Sequence, residues 1–80
     1  MKTFTMSYLK NFQITETAGM SLETYGVTLV KSSDDGEKEV LEIRNICQDE
    51  SKIDMLIGMM ERGLVTPMTA YEVIEDFLEI

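Results

Sequence analysis

The feature that most constrains this chain is a change of hydrophobic period near Cys47. Before it, apolar residues fall on alternate positions: Phe4, Met6, Tyr8, Phe12 and Ile14, then Tyr25, Val27 and Leu29, then Leu41 and Ile43. A period of two is the signature of a strand with one buried face. After it, Ile53, Leu56, Ile57, Met60 and Leu64 recur at helical spacing, and Ala70, Tyr71, Val73, Ile74, Phe77 and Leu78 do so again. A sheet with one apolar face and helices with one apolar stripe must bury each other. The expected fold is therefore α+β: a three-stranded antiparallel β-meander followed by a two-helix hairpin packed on one face, βββαα.

Punctuation residues set the boundaries. The spacing predicts strands over about 3–15, 22–32 and 38–46, and helices over about 49–62 and 67–79, in one compact domain spanning 1–80. Lys10 interrupts the first strand's alternation, and a bend is expected near Lys10-Asn11. Gly19 lies in a turn over Glu16–Ser21, and Asp35-Gly36 is the strongest hairpin signal in the chain. Asp49 or Ser51 can cap the first helix, with Asp49, Glu50 and Asp54 complementing its positive end. Arg62 and Gly63 supply its stop. Thr66-Pro67 reads as the start of the second helix, a capping hydroxyl followed by proline at the first helical position.

Composition narrows the function. Seven basic residues oppose fifteen acidic ones, for a formal net charge of -8. Such a chain repels nucleic acid and anionic membrane and suits a partner with a basic surface. Histidine is absent, which removes the commonest general base and metal ligand and the usual nucleophilic triads. No P-loop, dinucleotide fingerprint or zinc-ligand set is present, and "DDGE" is too short for an EF-hand loop. No cofactor and no enzymatic activity are expected. The N-terminus alternates polar and apolar residues, unlike a signal peptide, and the lone Cys47 cannot form an internal disulfide; a cytoplasmic placement follows as an expectation. Cys47 is expected to be a half-buried structural thiol.

Several clusters are candidates for partner contact. Glu72, Glu75, Asp76 and Glu79 fall within about a 100° arc of the second helix, opposite Ala70, Ile74 and Phe77. They form either a solvated face or a protein-binding surface. Asp34, Asp35 and Glu37 sit at the tip of the second hairpin. Met55 and Met59 lie off the core stripe of the first helix, so they pack against the second helix or form an exposed, adaptable patch. Met68 is expected among the carboxylates of the second helix, an apolar anchor within a charged rim. These residues point to a non-enzymatic protein-binding module. Its sharper form is an inhibitor that presents carboxylates to a partner's nucleic-acid-binding site; a self-associating homodimer is the alternative, and a carboxylate metal protein comes last.

The motifs "TYGVTLV", "EIRNICQDESKIDMLIGMMERGLVTP" and "YEVIEDFL" together resemble a family of short proteins of unknown function from clostridia-like Gram-positive bacteria. The resemblance covers roughly Leu22 to Leu78. It implies fold and origin, and no activity or site residue.

Overall fold

The computed structural model describes residues 3–78. Along the chain run β1 (Phe4–Thr17), β2 (Met20–Ser33), β3 (Lys38–Cys47), α1 (Glu50–Gly63) and α2 (Ala70–Leu78). The strands form one antiparallel sheet in the order β1-β2-β3. The βββαα arrangement is the one that the change of period predicts.

Alternation decides which face is covered. Val27 and Leu29 of β2 are fully buried, and they share a core with Ile53, Leu56 and Met60 of α1, Val65, and Ala70 and Ile74 of α2. Met6 and Tyr8 of β1, with Leu41 and Ile43 of β3, pack at its margin. Tyr8 fastens the sheet to the helical hairpin: its hydroxyl donates 2.6 Å to the carbonyl of Val65. Burial first, then the charge of Glu61, raises the Tyr8 phenol above the usual tyrosine range. Among the described residues no helix is packed over the opposite face, which bears Leu9, Thr28 and Val30.

The first hairpin is longer than its hydrophobic pattern. β1 and β2 pair in unbroken register from Phe4↔Ser33 to Thr17↔Met20, whereas β3 reaches only to Tyr25. The free end therefore projects as an arm, and the molecule measures 53 × 27 × 17 Å. Its radius of gyration is 14.2 Å, against about 12 Å for a compact chain of this length. Ala18 and Gly19 close the arm, both with positive φ (53° and 77°), as a two-residue type I′ turn requires. The second hairpin closes differently. Gly36 N–H bonds Ser33 C=O, Ser33 N–H bonds Glu37 C=O, and Gly36 takes φ 91°. That is a three-residue loop, a type I turn ending in a glycine bulge.

No bend occurs at Lys10. The register runs straight through it, and its ammonium reaches up to Glu50 at 2.8 Å and Asp54 at 3.0 Å on α1. The hydrogen bond to Glu50, then that to Asp54, raises the lysine's pKa. The distortion lies in β3 instead. Tyr25 pairs with Cys47 and Val27 with Ile43, so Gly26 alone opposes Arg44, Asn45 and Ile46. Asn45 turns this bulge with φ 58°, a conformation asparagine tolerates better than most residues. A polar cluster holds it: Asn11 Nδ2 donates to Thr28 Oγ1 and to Ile43 C=O, and the Thr24 hydroxyl donates to the Asn45 amide oxygen.

Of the two candidate caps, Asp49 is the one used, accepting from Ser51 N–H at 2.9 Å and Lys52 N–H at 3.4 Å. At the other end the helix runs through Gly63, and Leu64 adopts the left-handed conformation (φ 48°) normally left to glycine. Val65 N–H then returns to Met60 C=O. Leu64 thus leaves the α1 stripe to which its spacing assigns it. α2 begins later than Thr66-Pro67 predicts. Thr66 accepts through its carbonyl from Thr69 N–H, making a single turn, and the helix proper starts at Ala70.

Candidate functional site

The outward side of α2 is where the sequence-predicted site residues and the open surface coincide. Ala70 and Ile74 fix the helix's inner stripe because they are buried in the core. Helical geometry then turns Glu72, Glu75 and Asp76 outward, and all three are exposed. Among the described residues none of them has a basic partner within ion-pairing distance. Glu79 lies outside the described residues.

Two apolar clefts flank this face. The larger, about 490 Å³, runs between the N-terminal end of α2 and the sheet, lined by Phe4, Val40, Leu41, Pro67, Met68 and Tyr71, with Lys31 and Glu39 at its rim. The Lys31 ammonium stands 4.7 Å over the Phe4 ring, which leaves the stem covering apolar surface. The smaller, about 230 Å³, lies at the seam of the helices between Met55 and Met59 of α1 and Phe77 and Leu78 of α2, beside Lys52. Both expectations for Met55 and Met59 therefore hold in part. They border α2, and Met55 is still 61% exposed.

Met68 departs from expectation. It is 91% exposed, but it occupies the turn before α2 and lines the cleft with Phe4, Val40 and Tyr71, away from the carboxylate arc. The hairpin tip is also unlike a free acidic cluster. Asp34 accepts from the Thr3 hydroxyl at 3.1 Å, Asp35 accepts from Glu37 N–H at 3.1 Å, and Lys31 and Lys38 lie beside Glu37 and Glu39. Asp34 thus ties the tip to the chain ahead of β1, and Asp35 holds the turn itself. Tyr71 and Leu78, assigned by spacing to the buried stripe, are 55% and 53% exposed. They sit at its edge, roughly 80–100° from Ala70, and the sequence signal for them was that position.

Elsewhere the chemistry is structural. Cys47 is half-buried, as expected, and its thiol donates to Asp49 C=O at 3.4 Å. Tyr25 meets Phe12 in a tilted ring pair with centroids 5.3 Å apart, and burial, followed by the charges of Glu50 and Glu23, raises its phenol pKa. Among the described residues no group of three or more acidic or cysteine side chains is gathered in a metal-holding geometry. No helix among them is long and apolar enough to cross a membrane.

The fold and this surface define a small α+β domain with an open helical face. The chain belongs to the family of unknown function DUF6514, whose profile matches residues 2–80. The match extends over the first strand as well, which the motif resemblance covers least. No curated protein and no solved structure matches the chain.

Proposed function

We propose that this protein is a non-enzymatic protein-binding module that receives a basic partner on the outward side of α2. The observation that carries this reading is the juxtaposition on one helix of unpaired, exposed carboxylates (Glu72, Glu75, Asp76) with apolar clefts on either flank. Apolar anchors with a charged rim are the composition of a docking surface rather than of a reaction pocket. A partner presenting Lys or Arg between two apolar side chains satisfies both elements. The net charge of -8 adds long-range attraction and salt-sensitive association.

Occupation of a nucleic-acid-binding site is the sharper form of the same reading, and α2 is what supports it. Its carboxylates are free to stand where phosphates would lie, whereas Asp34 accepts from Thr3 beside the start of β1 and Asp35 from Glu37 N–H within its own loop. The mimicry, on this reading, belongs to α2 and not to a joint array with the hairpin tip.

The test is affinity capture with wild-type bait and a bait carrying Glu72→Gln, Glu75→Gln and Asp76→Asn, each washed at low and high salt. The origin in clostridia-like Gram-positive bacteria that the motifs suggest guides the choice of lysate. A basic protein retained by the wild type, lost at high salt and lost by the triple variant is the expected result. Identical retention by both baits would defeat the proposal.

A further inference from the structure

β1 is an open edge with little of the usual protection. It runs fourteen residues in unbroken register, without proline or bulge. Its charged residues are Lys10, whose side chain is turned up to α1, and Glu16 near the turn. Natural edge strands of this length are normally blunted or covered. The surface area agrees. The chain exposes 5704 Å², against about 4,900 Å² for a compact monomer of its mass. The excess of roughly 800 Å² reflects the elongated molecule, whose projecting arm carries the β1 edge.

The backbone determines which residues face outward. The two-residue turn makes Thr17↔Met20 a hydrogen-bonded pair, and Asp34 N–H bonding Thr3 C=O shows the same parity at the far end. Odd residues of β1 thus bond β2, and the N–H and C=O of Lys10, Phe12, Ile14 and Glu16 point to the free edge. On the helix side, Phe12 and Ile14 are 48% and 58% exposed because the arm projects past α1.

We propose that β1 pairs antiparallel with β1 of a second copy about a two-fold axis at Gln13, joining the two sheets into one of six strands. In this register Phe12 of each copy faces Ile14 of the other, and Lys10 faces Glu16. It is the register that matches both apolar residues with apolar partners while opposing unlike charges. A shift one way sets Ile14 against Lys10; the other way sets Phe12 against Glu16. Lys10 keeps a third donor beyond those given to Glu50 and Asp54. Those two acids also repel an incoming Glu16, so the ion pair selects register more than it adds affinity. About eight backbone hydrogen bonds and the two Phe12–Ile14 pairs supply the attraction. This interface leaves α2 free, so it stands or falls apart from the docking surface above.

Sedimentation equilibrium of the wild type at micromolar concentration is expected to give a dimer. Ile14→Pro removes an N–H that points to the free edge and spares the β1–β2 ladder. It should give a monomer with unchanged circular dichroism, the dissociation constant rising roughly a hundredfold or more. In a Cys47→Ser background, Gln13→Cys places two thiols across a non-hydrogen-bonded pair, about 4.5 Å apart at Cα, and mild oxidation should yield a covalent dimer. Thr15→Cys sets its thiols about 13 Å apart along the strands and should stay reduced. A wild-type monomer overturns the proposal. So does cross-linking of Thr15→Cys as complete as that of Gln13→Cys, a reading that holds even where Ile14→Pro fails to fold.

Discussion

Substitution of Gly26 by alanine tests the account of the β3 bulge. Gly26 is buried in the middle of β2, where β3 folds Arg44, Asn45 and Ile46 across it. A Cβ built there would overlap the carbonyl oxygen of Ile43, and would stand 2.5 Å from Asn11 Oδ1 and 2.9 Å from Arg44 Cα. The Asn11 amide can swing aside. The two backbone groups cannot, because the ladder at Val27↔Ile43 holds them. Relief therefore requires the bulge to lift, with loss of the Asn11 bond to Ile43 C=O and of the Thr24–Asn45 bond beneath it. Overpacking costs about 1–3 kcal/mol and each of the two lost hydrogen bonds about 1 kcal/mol, so the sum is roughly 3–5 kcal/mol. A domain of this size has about 4–12 kcal/mol in total. Urea unfolding followed by circular dichroism should show the midpoint falling by about 2 M or more, with m near 1–2 kcal/mol/M. A loss below about 1 kcal/mol, or full rescue of Gly26→Ala by Asn11→Gly, would mean that the backbone approach is not the constraint.

Two further outcomes follow from named residues. Leu64→Gly removes a side chain that is exposed and held at positive φ behind α1, so it should raise stability by about 0.5–1 kcal/mol, read as a shift in the urea midpoint. Tyr8→Phe deletes the donor to Val65 C=O and should cost about 1–2 kcal/mol at neutral pH. Its pH profile carries a sign. The Tyr8 phenol and the Lys10 ammonium are both raised on folding, so their stabilisation is whole below the unfolded values and fades as pH rises through the folded ones. Wild-type stability should therefore fall above about pH 10, and Tyr8→Phe should flatten part of that fall.

Much of this fold is legible in the sequence because burial on one side writes a period. Val27, Leu29, Ile53, Leu56, Met60, Ala70 and Ile74 all carry that signal, and all are buried. What the period cannot report is whether anything lies opposite. Phe12 and Ile14 alternate as faithfully as Met6 and Tyr8, yet α1 covers the second pair and ends short of the first. Lys10, which looks like a break in the pattern, is an ion-pair tether whose partners stand forty or more residues away. The same limit applies to the candidate site. The carboxylate arc of α2 follows from 100° per residue, but the larger cleft beside it depends on Phe4 and Val40, brought there by sheet pairing, and the smaller on how α1 meets α2. The tip aspartates show the converse: a charge count cannot distinguish carboxylates that hold a turn from those that are free.

The arm bears on why so short a chain is folded at all. A domain of eighty residues has little core to spare, yet this one leaves Phe12, Ile14, Met20 and Leu22 outside it. Ordering a hairpin out to Ala18-Gly19 costs backbone entropy, which an isolated two-stranded ribbon recovers poorly. Polar residues would form that arm at lower risk of aggregation. The proposed strand pairing covers Phe12 and Ile14 without touching α2, while Met20 and Leu22 stand on β2 and face the other side of the sheet. The two proposals together assign the acidic helix face and the apolar arm different tasks. On them, the arm would gather copies through backbone and shape while the helix presents charge to a partner, and two such helices on one assembly would bind a repeated or symmetric target more tightly than either alone.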